Sequence, residues 1–366
     1  MRGRATSPFE AELDDRQWCP FGVTRLAGRL SGVNKSHSIE TEYKLLSLNY
    51  GYTFSAVLDA ALELRIFDQF GDLPGTVDRV AGASGWSRDA VRRLLDVLTY
   101  MGLLLKVTEC EYCVPHPVAE LLSAGSRESI AAHLRAVYAA RPRWGDHLVE
   151  TVCTGNRRSR INDVGDRPSN VDFFVRGGFG VLEDARKVAA LSSDVCAETV
   201  VVLYSGGGEW ALAQAESGSG RTVYALDTPE FIDRVVLRVG ALPALNHLRF
   251  VPCGDGVQSC DIGAQLVLVP PVTRFFSIEI VRQMLSGAIA SLAGDGELLL
   301  VDIMADLQTK EQSLISVFDL SLLVNTSGGA IRSSGFYGKM LESMGVEVTK
   351  VEGIGLLTVL RARRGR

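Results

Sequence analysis

Apolar residues recur at helical spacing in the first part of this chain and gather into short unbroken runs in the second. Val57, Ala60, Ala61, Leu64 and Phe67 follow an i, i+3, i+4 pattern, which predicts one buried face on a helix setting in near Tyr43. Gly71-Asp72-Leu73-Pro74-Gly75 stops it. Two shorter helices are predicted over 77–83 and 87–101, separated by Ser84-Gly85-Trp86, with Ser87 as N-cap and Gly102 as the stop. Leu103–Val107 and Glu111–Val114 then read as a two-stranded wing, so the module reads as a winged helix-turn-helix. Met1 to about residue 40 carries no such periodicity and reads as a flexible arm. A helical linker containing Trp144 runs on to residue 155, and the basic run Arg157-Arg158-Ser159-Arg160 reads as a solvated loop.

From Thr199 onward, strands alternate with helices. The apolar runs Val200–Leu203, Thr222–Leu226, Leu248–Val251, Leu266–Val269, Glu297–Asp302 and Leu356–Leu360 predict a doubly wound parallel sheet of the Rossmann-like α/β class. Three parts follow: an arm over 1–40, a mostly helical domain with linker helices over 41–155, and an α/β domain over 156–366. The first strand runs into Tyr204-Ser205-Gly206-Gly207-Gly208-Glu209-Trp210, with the next helix predicted from near Ala211. In open α/β sheets such a turn lets the backbone approach a nucleotide-like cofactor. Asp227 ends the second strand, about 20 residues past the glycines, where an acidic side chain accepts hydrogen bonds from a ribose. Gly254 and Asp255 follow the third strand and face the same crevice.

Composition narrows the field. With 366 residues, 46% apolar and 22% charged, the chain has the make-up of a globular protein with a full core. A net charge of −5 offers no attraction to nucleic acid or to an anionic membrane, so neither is expected as a partner. No apolar run reaches the roughly 18–20 residues of a membrane span, and no secretory segment opens the chain; a cytoplasmic protein is expected. Seven scattered cysteines do not form a disulfide framework. Cys110, Cys113 and His116 have zinc-like spacing, yet a structural site needs four ligands and no second pair is present. They read as a hairpin with small apolar fillers, and no metal is expected.

The ordered set of segments resembles the S-adenosylmethionine-dependent O-methyltransferases of the caffeate and hydroxyindole type, from Tyr43 to the C-terminus. Ser55-Ala56-Val57-Leu58-Asp59-Ala60-Ala61 with Phe67-Asp68 is similar to that family's dimer helix. Arg93–Leu98 through Met101-Gly102-Leu103-Leu104 is similar to its winged-helix signature, and Leu298–Asp302 with Ser327–Ser333 to a late strand and the following loop. The resemblance implies a homodimer, a small-molecule substrate and S-adenosylmethionine held by Gly206, Gly207, Gly208, Asp227, Gly254 and Asp255. It also implies that Trp144, Phe173, Phe174 and Phe179 lie along the substrate pocket. Two positions depart from the family's Asp-x-Gly-Gly-Gly-x-Gly turn. Tyr204 replaces the aspartate and Trp210 the last glycine, where an indole is expected to crowd the cofactor's amino-acid end and reach the substrate.

The family takes the acceptor proton with a histidine just after the fourth strand. In the matching segment Val272-Thr273-Arg274-Phe275-Phe276, Arg274 stands in that place, and all five histidines precede residue 248. A guanidinium stays protonated and cannot be a general base, but it can stabilise negative charge on a carbonyl or carboxylate. The alternative is an arginine paired with a nearby carboxylate such as Glu279. His133 is the second catalytic candidate, as a proton or hydrogen-bond donor. With these departures the chain resembles the non-methylating natural-product relatives on this scaffold, which implies a tailoring enzyme that has left methylation for a cyclisation, pericyclic rearrangement or similar reaction. Two further readings stand beside it: a methyltransferase acting on an acidic acceptor, which needs no base, and a ligand-sensing winged-helix regulator using Arg88, Arg92 and Arg93 on DNA.

Overall fold

The computed structural model describes residues 45–46, 48–71, 73–126, 129–139, 141–155, 181–192, 195, 197–218, 220–239, 247–253, 262–306 and 312–365. The arm at 1–40, the basic run at 157–160, Phe173, Phe174, Phe179, Gly254 and Asp255 lie outside the described residues. The chain divides into two compact units near residue 131. The helices over 131–154 cluster with the sheet rather than with the N-terminal module.

In the first unit, α1 (Gly51–Glu63) buries Ala61 and Leu62, and a short 3-10 turn (Ile66–Gln69) buries Ile66 and Phe67. The expected face held at Ala61 and Phe67 but not at Leu64, which is exposed. The helix ends at Glu63, and Arg65 enters the left-handed region at φ 51°, which rotates the following residues out of helical phase. Strand β1 (Gly75–Thr76) leads into α2 (Val77–Ser84), capped by the Thr76 hydroxyl and ended by Gly85 at φ 68°. Ser87 caps α3 (Arg88–Tyr100) by accepting from the Ala90 N–H, and Val91, Leu95 and Leu98 form its buried stripe. The hairpin β2 (Leu105–Lys106) and β3 (Glu111–Cys113) gains β1 as an additional antiparallel strand. A last helix, α4 (His116–Leu122), buries Val118 and Leu122. Cys110 is exposed at the hairpin tip and so is not the apolar filler expected, whereas Cys113 is half-buried. No group of three or more potential metal ligands gathers among the described residues.

The second unit begins with α5 (Ala131–Ala139) and α6 (Arg141–Thr154) and continues through α7 (Val181–Leu191) into the sheet. Its elements are β4 (Thr199–Leu203), α8 (Glu209–Glu216), β5 (Thr222–Asp227), α9 (Pro229–Val239), β6 (Leu248–Pro252) and β7 (Ala264–Val269). They continue as α10 (Ile278–Ala290), β8 (Leu292–Asp302), α11 (Gln312–Asn325), α12 (Ser334–Glu342), β9 (Val346–Ile354) and β10 (Leu357–Arg364). The strand order is β6-β5-β4-β7-β8-β10-β9. The first five strands are parallel, as expected for a doubly wound fold, but β10 runs antiparallel to both neighbours, so the sheet is mixed. The polar, half-exposed β9 carries no apolar run and was not foreseen.

Alternate residues of the same strands feed two cores. Val201, Leu203, Val267, Val269, Leu298 and Leu300 pack with Val281 and Leu285 of α10 and Tyr337 and Leu341 of α12. Val200, Val202, Leu266, Leu268, Leu299 and Val301 pack with α7 and α8 on the opposite face. Burial on both faces explains why these strands read as continuous apolar runs. Beyond the chemistry, no described helix is long and apolar enough to cross a membrane. Truncating a central strand residue removes contacts from a filled layer. Leu300→Ala is expected to cost roughly 2–5 kcal/mol, read as a lower urea midpoint in equilibrium unfolding.

Candidate functional site

The C-terminal edge of the parallel strands collects the polar groups. At the end of β4 the chain reverses through Tyr204 at φ 53°, Gly206 at φ 55° and Gly208 at φ 87°. The turn closes with the Gly208 N–H on the Ser205 carbonyl at 2.9 Å, and Gly208 is the N-cap of α8. That helix starts at Glu209, two residues earlier than expected, because the third glycine already supplies the left-handed step into it. A non-glycine residue in the left-handed region costs on the order of 1–3 kcal/mol, so Tyr204 holds its conformation against strain. Its ring is half-buried against the core that includes Leu203 and Leu226. A Cβ added at Gly206 would meet nothing within 4 Å, whereas one at Gly207 would overlap the Glu209 carboxylate.

Asp227 ends β5 beside this turn and is buried. One carboxylate oxygen accepts from the Gly206 N–H at 3.0 Å and the other from the Thr228 N–H at 2.8 Å. Burial outweighs those two donors and pushes its pKa up to about 7. The turn thus offers bare backbone at Gly206, an acidic acceptor at Asp227 and a second carboxylate at Glu209. These groups suit a ligand with hydroxyls and a cationic end, and S-adenosylmethionine has both.

Trp210 is not where the sequence reading put it. It is 5% exposed and lies in the core with Ala185, Val188, Val200, Val202 and Ala211, under the sheet. The second position of α8 points its side chain toward α7, and the small residues Ala185, Ala189 and Ala211 make room for the indole. The expected crowding of the cofactor's amino-acid end, and the expected substrate contact, are both replaced by a packing role.

The loop after β7 carries the second cluster, in a short 3-10 turn over Thr273–Phe275. Asp302, at the end of β8 and fully buried, binds it. One oxygen accepts from the Thr273 hydroxyl at 2.5 Å and the Arg274 backbone N–H at 2.9 Å. The other accepts from Arg274 Nη1 at 2.7 Å and the Ile303 N–H at 2.8 Å. Since the Thr273 proton goes to Asp302, the Tyr337 hydroxyl, 2.7 Å from Thr273 Oγ1, is the donor in that pair. Burial, reinforced by the Asp302 charge, pushes the Tyr337 pKa up to about 12. The arginine pairs with Asp302, not with Glu279, which sits exposed on the first turn of α10. Its Nη1 also donates to the Pro271 carbonyl at 2.5 Å, and its guanidinium lies 4.5 Å from the Phe275 ring centroid.

His133 on α5 is buried close enough to Arg274 to feel its charge. Burial first, and that charge second, push its pKa down to about 4. At neutral pH its imidazole is neutral, so it can donate a ring N–H hydrogen bond but holds no extra proton to give. Trp144 is half-buried on α6. The structure therefore brings His133 close to Arg274, and joins Asp227 to the glycine turn through Gly206. Thr273, Asp302, Tyr337 and Arg332 were not singled out from sequence. Arg332 is buried and donates to the carbonyls of Phe276 at 2.8 Å and Gly328 at 3.2 Å. It ties the loop at 326–333 to the 273–276 turn. Gly329 is required there, because a Cβ would lie 2.6 Å from the Arg274 carbonyl oxygen. In the first unit, Arg88 pairs with Asp78, Arg92 with Asp89 and Asp96, and Arg93 with Asp89. Each arginine considered for DNA is thus held by a carboxylate.

Residues 46–125 match the O-methyltransferase dimerisation domain. The acetylserotonin O-methyltransferase of Rattus norvegicus is 29% identical over 286 residues, covering 70% of this chain and 62% of its own length. The chain thus spans less than two thirds of that relative. The mitomycin biosynthesis 6-O-methyltransferase of Streptomyces lavendulae is 24% identical over 320 residues, covering 84% of this chain and 90% of its own. Among solved structures, human N-acetylserotonin methyltransferase in complex with S-adenosylmethionine superposes with a TM-score of 0.76 at 18% identity, over 92% of this chain and 99% of that one. The fold is that of the methyltransferases. The chain is similar to O-methyltransferases of the hydroxyindole type, and its residues 46–125 match their dimerisation domain.

Trp210→Gly restores the family's glycine yet empties an indole-sized volume in the core. It is expected to cost at least about 3 kcal/mol in thermal or urea unfolding. Asp227 gives a pH test. Its folded pKa lies above the unfolded value, so its contribution is fully present below about pH 4 and is lost as pH rises through 7. Asp227→Asn has no such dependence. Relative to wild type, the variant should gain stability as pH rises across that window, at up to about 1.4 kcal/mol per pH unit, measured by urea unfolding at a series of pH values.

Proposed function

We propose that this protein is a small-molecule tailoring enzyme on a methyltransferase scaffold that polarises its substrate rather than deprotonating it. The observation that carries the reading is the Asp302–Arg274–Thr273–Tyr337 network, built around the arginine that, by the sequence resemblance, stands in place of a histidine base. The lone pairs of the Asp302 carboxylate are already filled by four donors, and the tyrosine is held protonated. His133, neutral beside Arg274, adds a hydrogen-bond donor. A reaction without net proton removal, such as a cyclisation or pericyclic rearrangement, suits this set. Arg274 would draw electron density toward a substrate oxygen, and the enclosing helices would hold the reacting conformer.

A second reading is favoured by the position of Trp210. Because the indole is packed in the core, the glycine turn retains its open backbone, and S-adenosylmethionine would be held by Gly206, Gly207, Gly208 and Asp227. When bound, that cofactor supplies an electrophilic methyl group and a positive charge. With an acceptor that is already ionised, methyl transfer needs no base. Homodimerisation through the 46–125 module is part of both readings.

Calorimetry with S-adenosylmethionine, followed by mass spectrometry of candidate acceptors incubated with enzyme and cofactor, separates them. The first reading expects an isomerised or cyclised product of unchanged methyl content. Stoichiometric methylation of the acceptor would overturn it in favour of the second.

A further inference from the structure

We propose that Arg274 is a carboxylate-recognition residue and that the natural substrate carries a carboxylate bound at its Nε–Nη2 edge. The proposal rests on the polarising role given to Arg274 above and narrows it to one substrate class.

The geometry assigns the two edges of this guanidinium to different tasks. Nη1 is committed, donating to Asp302 at 2.7 Å and to the Pro271 carbonyl at 2.5 Å. The Phe275 ring, 4.5 Å away, restricts rotation of the plane. Nε and Nη2 make no hydrogen bond among the described residues, although the side chain is only 12% exposed. These two nitrogens form the side-on fork of an arginine, with parallel N–H groups spaced to meet the two oxygens of a carboxylate. A carbonyl or an ether offers one oxygen and leaves half of the fork idle.

Charge agrees with shape. The groups gathered at the 273–276 turn are the guanidinium groups of Arg274 and Arg332, the carboxylate of Asp302, the protonated Tyr337 and the neutral His133. Among the described residues, Arg332 donates to the carbonyl oxygens of Thr273, Phe276, Gly328 and Ala330, reaches the Tyr337 hydroxyl, and lies within electrostatic reach of Glu279. Among the described residues, Asp302 is the buried carboxylate at this turn, while Glu279 lies exposed on α10 and feels the charge of Arg332. A substrate carboxylate at the free edge would meet a guanidinium at a turn that holds two of them.

The test is a pair of binding titrations on the full chain, using 1-naphthoate and its neutral counterpart 1-naphthamide, followed by tryptophan fluorescence. Wild type is expected to prefer the acid by about tenfold or more, the scale on which a charge-assisted pair exceeds a neutral one. Arg274→Gln combined with Asp302→Asn removes both charges without leaving a buried carboxylate unpaired, and should bring the ratio close to one. A second readout needs no variant. Arg274 depresses the His133 titration, so naphthoate in the site should raise the pH at which the His133 ring protons shift in NMR spectra, whereas naphthamide should not. Equal affinity for the two probes, absence of binding by both, a preference that survives in the double variant, or an unmoved His133 titration would each overturn the proposal. These are measurements of binding alone, so a protein that proves to methylate can still pass them, and one that does not methylate can still fail.

Discussion

The Asp302 carboxylate is the group on which the rest of the site depends. A buried, ionised carboxylate is costly unless its lone pairs are filled, and here four donors fill them. Three of those donors come from two consecutive residues, Thr273 and Arg274, so satisfying the charge also fixes the loop after β7. Tyr337 from α12 completes the chain of hydroxyls, and Arg332 fastens the following loop to the same turn through backbone carbonyls. Removing one partner of such a pair typically costs about 3–5 kcal/mol, because the other charge stays behind. The turn is therefore as rigid as the sheet that carries Asp302, and Arg274 is presented on a fixed mount.

That rigidity differs from the situation at the glycine turn. There the backbone is open at Gly206, Tyr204 holds a strained left-handed conformation, and Asp227 is buried with only two backbone donors. Its raised pKa records an incomplete match between charge and surroundings. A ligand that donates hydrogen bonds to Asp227 would stabilise the ionised form and relieve that mismatch. The carboxylate at the 273–276 turn is matched by donors from the chain itself, whereas the one at the glycine turn is matched less completely.

Much of the architecture was legible because it rests on period and punctuation. The strands of the parallel sheet are apolar on both faces, and Ser87, Gly85 and Gly102 announce the helix ends through capping and left-handed backbone. Strand β9 was not legible, since an edge strand with one solvated face has neither an apolar run nor a clean alternation. Arg274, His133, Asp227 and the glycines stand out in the sequence as residue types in a pattern, but their hydrogen-bond partners do not. The distance along the chain from residue 274 to residue 302 says nothing about pairing; only the neighbouring ends of β7 and β8 bring them together. Trp210 was misjudged for a related reason. A motif position shows which backbone site is occupied, whereas the direction of the side chain depends on the alanines of α7 and α8 that make room for it.

The chemistry follows from where protons can reside. A base must be free of its proton near neutral pH and must gain stability on taking one. His133 meets the first condition and fails the second, because burial and the adjacent guanidinium both oppose a positive imidazole. The oxygens of Asp302 are already taken up by the four donors that hold its loop. Tyr337 keeps its proton throughout this range. What the cluster can do without changing its protonation is present N–H groups and positive charge to a substrate oxygen. Such stabilisation requires no reorganisation when it acts at a fixed turn, and this is the condition under which oriented charge lowers a barrier most.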